Sequence, residues 1–161
     1  GQLPGGLDAL TGEVRDLEVH AYYVDDTSSF APGVPSLRRL TLVKGGTMED
    51  QELITGVENL QVQFGLDTNG DGRVERYVDP GSAELVPGAA AYLEHARIIA
   101  VRLWMLVRAE EPMGPGFSDG RSYQPLDHGA APISPGDDGY PAGFERIEVS
   151  KTVLLRNQVR Q

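Results

Sequence analysis

The sequence of 161 residues predicts an α+β fold that is mostly β, with an antiparallel sheet, one short helix and one long irregular loop. Three observations support this prediction. Apolar residues recur mainly at every second position, which is typical of strands with one buried face. One Ala-rich segment is a helix candidate, and one segment is too rich in Pro and Gly for regular structure. The length suits a single domain, which we expect to span residues 1–161.

Alternation of apolar and polar residues predicts the strands. The clearest run is 57–66, in which every second residue from Leu60 onward is apolar. The run 96–107 carries apolar residues on both faces, so we expect it to be the central strand, covered on both sides. Lys151 shares the apolar face of the last strand and is expected to extend to its rim. The other predicted strands are 14–24, 36–43 and 147–155.

The helix candidate is 88–97, which is rich in Ala and contains Leu93 and Glu94. The irregular loop is 110–143, which holds six Pro and seven Gly in 34 residues. Loops of this length are usually functional or disordered. Two interpretations remain open for it: a mobile surface excursion, or a loop that contacts a partner and orders on assembly.

Charge and composition exclude several classes of protein. The net charge is −10, and the chain has no clustered basic footprint, so we expect no nucleic-acid partner. Cysteine is absent, which excludes a disulfide framework, a thiolate nucleophile and a zinc–cysteine site. No run of about 18 apolar residues occurs, so nothing in the printed sequence is predicted to span a membrane.

The segment 67–75 resembles the first half of a calcium-binding loop. Its D-x-N-x-D-G spacing places oxygen ligands at positions one, three and five, and Ca²⁺ requires six to eight oxygens. The twelfth position holds Val78 instead of a bidentate Glu, and the flanks alternate like strands, so a helix–loop–helix hand is not predicted. The candidate ligands are Asp67, Asn69, Asp71, the carbonyl of Arg73, Glu75 and Asp79.

The same segment has a second interpretation as a hairpin turn. Asn-Gly and Asp-Gly are favoured turn dipeptides, and 65–78 is compatible with two strands joined by a turn. Carboxylates at such a turn are commonly solvated. If Ca²⁺ binds, we expect it to rigidify the hairpin, and it is the one cofactor that the sequence suggests.

No active site is evident in the sequence. The segment 116–120 satisfies G-x-S-x-G, but a nucleophile elbow needs a strand before the Ser and a helix after it, and these flanks contain Pro. His20, His95 and His128 lie on separate segments without metal-ligand spacing. We therefore predict no enzyme, and a hydrolase that uses Ser118 is a minor alternative.

Several stretches, taken in order, resemble the C-terminal region of PilW-type minor pilins of the type IV pilus. Each stretch is weakly specific alone, whereas their order and spacing cover nearly the whole chain. They are 19–24 followed by 35–39, then 52–67 running into the Asn-Gly-Asp-Gly turn, 100–108 and 152–157.

The resemblance implies a pilin-type antiparallel sheet that packs on an N-terminal hydrophobic helix, which a prepilin peptidase cleaves and which holds the subunit in the inner membrane. The chain would be a fragment without that helix, its only route to a membrane. Apolar positions such as Ile98, Trp104 and Leu106 would then have lost their cover.

The resemblance also implies a non-catalytic role in priming pilus assembly near the fibre tip. The expected partners are other minor pilins and tip or assembly proteins. The expected location is the inner membrane and periplasm, then the pilus at the cell surface. A minor pseudopilin related to pseudopilin J of type II secretion and a calcium-stabilised extracellular binding module are the alternatives.

Overall fold

The computed structural model describes residues 17–127, 129–137 and 139–155. These residues form seven strands in two antiparallel sheets, in the orders β1-β2-β3 and β5-β4-β6-β7. Parts of the predictions, namely 14–16, His128 and 156–157, lie outside the described residues. The strands are β1 (His20–Asp25), β2 (Ser36–Val43), β3 (Thr47–Thr55), β4 (Val57–Asp67), β5 (Arg76–Val78), β6 (Arg97–Arg108) and β7 (Arg146–Leu154).

The predicted helix at 88–97 is wrong, and with it the α+β class. The described part of the chain contains no helix and is all β. The segment instead closes successive tight turns, with hydrogen bonds from Ala89 N to Val86 O (3.1 Å) and from Tyr92 N to Ala89 O (3.0 Å). Gly88, the first residue of the segment, has a φ of +87°, which lies outside the helical region. A short Ala-rich segment gains too little packing to offset helix nucleation.

The first sheet contains two predicted strands and one that the alternation did not reveal. The predicted strand 14–24 corresponds to β1, which begins only at His20 in the described residues. The structure confirms 36–43 as β2. The missed strand is β3, whose sequence TMEDQELIT is largely polar and acidic. It pairs with β2 through side-chain contacts as well as backbone hydrogen bonds: Arg38 donates to Asp50 Oδ2 from Nε (2.8 Å) and Nη2 (2.6 Å).

The second sheet has β6 as an interior strand between β4 and β7, as predicted. Its register places apolar side chains of all three strands on one side, in rows such as Phe64–Val101–Val153 and Leu60–Met105–Val149. We call this side the open face. Its members are half-buried or exposed: Leu60, Val62, Phe64, Val101, Leu103, Met105, Val107, Ile147, Val149 and Val153. Lys151 lies in the same face, opposite Leu103.

The other side of β6 is closed by the Pro/Gly-rich segment 110–143. Trp104 and Leu106 are fully buried, in a cluster with Tyr123 and Ile133 of that segment. Tyr123 and Ile133 exchange two backbone hydrogen bonds, of 3.0 and 2.8 Å, without forming a longer strand. The expectation that Trp104 and Leu106 had lost their cover is therefore wrong. Within the described residues only this face of β6 is covered, so the expectation that both faces are covered is not met there.

Gly56 joins the two sheets between β3 and β4. Its N–H donates to Pro35 O (2.7 Å) beside β2, and its carbonyl accepts from Arg108 N (2.8 Å) at the end of β6. Its φ is +87°, and a Cβ at this position would lie 2.6 Å from Arg108 O. Only glycine fits this conformation and this spacing without a shift of the backbone.

Candidate functional site

The acidic turn that the sequence suggested lies between β4 and β5. Asp67 is the last residue of β4 and is buried. Its Oδ1 accepts from the backbone N–H of Gly70 (2.6 Å) and Asn69 (3.2 Å), and its Oδ2 accepts from Gly72 N–H (2.9 Å). Burial alone would raise the pKa of this carboxyl, but the backbone donors outweigh burial and hold the pKa below its ordinary value.

The turn brings two more carboxylates towards Asp67. Oxygen atoms of Asp67, Asp71 and Glu75 all lie within 4.8 Å of one another. Glu75 Oε2 also accepts from Thr68 N–H (2.6 Å), and Glu75 N–H donates to Leu66 O (2.9 Å), which closes the hairpin. Asp71 and Glu75 are exposed, so solvent reaches this side of the cluster.

The other candidate ligands have separate positions. Asn69 Oδ1 accepts from Asp71 N–H and Asp71 Oδ1 accepts from Arg73 N–H, both at 2.9 Å, so the turn is closed by its own hydrogen bonds. Asp79 lies beyond β5, outside the group of three, and its Oδ1 accepts from Gln63 Nε2 (2.8 Å). Three converging carboxylates suit a hard cation, and the hydrogen-bonded turn also agrees with the hairpin interpretation.

A buried ion-pair cluster, which sequence analysis missed, joins β7 to the start of β4. Arg146 is fully buried and donates to Glu58 from Nε (2.6 Å) and Nη2 (3.0 Å). Its remaining donors reach the carbonyl oxygens of Phe144 (3.1 Å) and Pro141 (2.8 Å). Arg108 is half-buried overall, with its side chain only 8% exposed; it lies 3.8 Å from Glu58 and stacks on the Phe144 ring. Burial lowers the pKa of the Arg108 guanidinium.

Asp119 extends this cluster into the loop. Its carboxylate accepts from Tyr123 OH (2.7 Å) and Arg121 Nε (3.0 Å) and lies 3.8 Å from Arg146. Burial acts to raise the Asp119 pKa, but hydrogen bonds from Arg121 and Tyr123 hold it below the ordinary value. Burial, with the bond to Asp119, raises the pKa of Tyr123 to about 12.

The G-x-S-x-G segment contributes Asp119 to this ion-pair cluster and does not position Ser118 as a nucleophile. Ser118 is exposed on irregular chain, while its neighbour Asp119 is buried and ion-paired. No strand precedes Ser118 in the loop and no helix follows it in the described residues, so the elbow geometry is absent there. No spacing rule could have revealed the Arg146–Glu58 pair, because 88 residues separate its members.

The described residues define an all-β domain with a loop locked by buried ion pairs, an acidic turn at one end and an apolar sheet side. These features are typical of a structural or binding domain. The sequence matches the model of the family described as Type IV Pilus-assembly protein W over residues 21–157. The chain therefore belongs to the PilW family of type IV pilus assembly components. Comparisons with curated proteins and with solved structures give no match.

None of the segments that the structure describes could span a lipid bilayer as an apolar helix. The family relates the chain to the cell envelope and the pilus, and to other pilus components as interaction partners.

Proposed function

We propose that the chain is a non-catalytic structural subunit, a minor pilin that helps to prime type IV pilus assembly near the fibre tip. The observation that supports this proposal is the open face. Among the described residues, the loop covers one side of the β4-β6-β7 sheet, and ten apolar side chains remain half-buried or exposed on the other side. An apolar sheet side of this extent requires a packing partner.

An apolar helix of a pilus subunit is the partner that fits this face. The sheet presents aliphatic side chains in parallel rows, and the stripe of an apolar helix can pack along them. The single charge among them, Lys151, lies on the edge strand, where its ammonium can reach water beside a packed helix. The family match favours such a helix over an unrelated partner.

The same site chemistry favours a non-catalytic role. The buried polar groups around Asp119 are engaged with one another and hold the loop on the sheet, and Ser118 has no hydrogen-bonded base among the described residues. A minor pseudopilin of type II secretion is the alternative in the same class. Pilus counts on cells separate the two, because a pseudopilin variant would change secretion and leave pilus number unaltered.

The experiment uses bacteria whose pili depend on this protein. A photo-crosslinking residue at Leu103, in the open face, is expected to yield a crosslink to an apolar helix of a pilus subunit, identified by mass spectrometry. The same residue at Met48, an exposed position of β3, is the matched control and should not react with that helix. Equal products from both positions, or none from Leu103, would refute the assignment of the face.

Pilus counts by electron microscopy test the role itself. Leu103→Asp is expected to reduce surface pili strongly. Met48→Asp, which introduces the same charged residue outside the open face, should leave them unaltered. Ser118→Ala is expected to have no effect. Loss of pili in Ser118→Ala at unchanged protein level would contradict a non-catalytic role.

We also propose that the turn 67–75 takes up Ca²⁺ as a structural ion, held by Asp67, Asp71 and Glu75. The convergence of three carboxylates supports this proposal, and Ca²⁺ would relieve their mutual repulsion. The expected consequence is a more rigid β4–β5 hairpin, measured as a calcium-dependent rise in melting temperature.

A further inference from the structure

The long edge of the second sheet lies at β7. In the sheet order β5-β4-β6-β7, the opposite edge is β5, which has three residues, whereas β7 has nine. Within the described ranges, β7 pairs only with β6, and every side chain from Ile147 to Leu154 is exposed. Long exposed apolar edges are usually shortened, bulged or covered in soluble proteins, because their free backbone groups pair with other strands.

The register identifies which backbone groups point outward. Leu155 N–H donates to Ile99 O (2.8 Å), so odd-numbered residues of β7 direct their N–H and C=O groups to β6. The even-numbered residues Glu148, Ser150, Thr152 and Leu154 therefore direct theirs to the open edge. The pairing with β6 has no bulge, so this alternation holds along the strand.

The loop protects only the first outward group. The carbonyl of Arg146 points to the outer edge and accepts from Arg121 Nη2 (2.5 Å) of the loop. Beyond Arg146, no hydrogen bond from another described residue reaches the outward groups of β7. As far as the described residues show, the edge is thus closed at its beginning and open along the rest of its length.

Two features of the open edge give it selectivity. Ile147 is 58% exposed and Leu154 is 68% exposed, so aliphatic residues lie on both faces of the strand. Lys151 lies between Val149 and Val153 and forms no ion pair within the described ranges. An aliphatic strand added beside β7 would enclose this ammonium without a partner, whereas a strand with a carboxylate opposite it would neutralise the charge.

We propose that β7 is a strand-addition site, which binds an extended segment of a protein partner with aliphatic residues at alternate positions and an Asp or Glu opposite Lys151. The added strand extends the sheet next to the open face and leaves that face accessible. This inference goes beyond the proposed function and does not depend on it. The backbone would supply affinity, and Lys151 would supply selectivity.

The probe is a synthetic peptide of about nine residues, the length of β7, with alternating Val and Thr and a Glu at the central Val position. It is titrated into the isotope-labelled full chain, followed by NMR and amide hydrogen exchange. We expect saturable binding that protects the amides of Glu148, Ser150, Thr152 and Leu154. The odd-numbered amides of β7, already bonded to β6, should change little.

The control peptides distinguish strand addition from non-specific hydrophobic binding. A peptide with Lys in place of the central Glu is expected to bind at least about fivefold more weakly, because cross-strand pairs of opposite charge are favourable and like charges are not. A peptide whose alternate backbone amides are N-methylated should not bind. Binding of the methylated peptide would overturn strand addition.

The charge-swap variant Lys151→Glu gives the sharpest test. It should reverse the order of the Glu and Lys peptides by about the same factor, and its circular dichroism should match the wild type because the side chain is exposed. Three results would each overturn the proposal: no binding at millimolar peptide, an unchanged order of affinities in Lys151→Glu, or protection confined to β4 and β6.

Discussion

The guanidinium of Arg146 and the carboxylate of Glu58 form a bidentate ion pair that solvent does not reach, with donor–acceptor distances of 2.6 and 3.0 Å. The pair joins the first residue of β7 to the second residue of β4, on the two sides of β6. Because both side chains are buried, the charge of each is neutralised by the other and not by water. This dependence gives the first prediction.

Arg146→Met is expected to lower the free energy of unfolding by about 3–5 kcal/mol, because it leaves Glu58 buried without its partner. The double variant Arg146→Met/Glu58→Leu should recover much of this loss, because no uncompensated charge remains. Urea unfolding of the wild type, both single variants and the double variant measures the coupling. Strictly additive losses would show that the pair does not act as a unit.

Gly56→Ala is expected to destabilise the protein by more than the usual cost of a left-handed residue, about 1–2 kcal/mol, because its Cβ would lie 2.6 Å from Arg108 O. Gly45→Ala is the matched control: its φ is +104°, and no atom lies within 4 Å of its Cβ. It should show the conformational cost alone. Equal losses in thermal unfolding would mean that the contact with Arg108 relaxes freely.

Tyr123 is expected to ionise later than an ordinary tyrosine. Its pKa is raised from 10.0 to about 12 by burial and by the hydrogen bond to Asp119. The stability that this raised pKa contributes is fully present below pH 10 and is lost as the pH rises from 10 towards 12. Absorbance titration near 295 nm of the wild type and Tyr123→Phe should differ by one late-titrating phenol. A difference with its midpoint near pH 10 would contradict a buried hydroxyl.

The single tryptophan reports whether the loop stays on the sheet. Trp104 is buried under Tyr123 and Ile133, so its fluorescence should be blue-shifted and poorly quenched by acrylamide. Asp119→Ala removes the carboxylate that binds Tyr123 and Arg121, and should increase quenching through loop opening. Glu110→Ala, an exposed change in the same loop, is the control. Efficient quenching in the wild type would place the loop away from Trp104.

Calcium is expected to raise the melting temperature saturably at millimolar concentration, since Asp67, Asp71 and Glu75 converge. Asp71→Asn keeps the oxygen that accepts from Arg73 N–H but removes one charge, so it should weaken the calcium shift. Without calcium, the same variant should be slightly more stable than the wild type because repulsion falls.

Asp26→Asn, the same change at an exposed aspartate outside the turn, should respond to calcium as the wild type does. No shift in the wild type up to millimolar calcium would leave the turn as a hairpin closed by its own hydrogen bonds.

The alternation of apolar and polar residues predicted the strands that are stabilised mainly by burying one face. It placed β2, β4 and β7 within one or two residues, because their apolar positions alternate. The strand β6 was placed equally well from a run that is apolar on both faces. Alternation missed β3, which is stabilised by pairs such as Arg38–Asp50 that depend on register. The helix predicted at 88–97 rested mainly on alanine content. The segment has no apolar stripe that a helix could bury, and it forms turns instead.

The acidic turn was found from the sequence because its residues are neighbours in the chain. The cluster around Arg146 was not, because its partners come from three distant segments and no local pattern marks a buried charge. The described part of 110–143 forms only isolated bridges. Its Pro and Gly content gave no sign that Tyr123 and Ile133 are core residues. Composition predicts the absence of repetitive structure and is silent on packing.

The unequal cover of the two sides of β6 has a consequence for how the sequence can change over evolution. Trp104 and Leu106 are packed by residues of the same chain, so a substitution there can be compensated by a second change in 110–143. Leu103 and Met105 belong to the open face, so compensation for a change there involves the proposed packing partner as well as the neighbouring strands. Among relatives, covariation should therefore be internal for one side of this strand and shared with a helix or another subunit for the other.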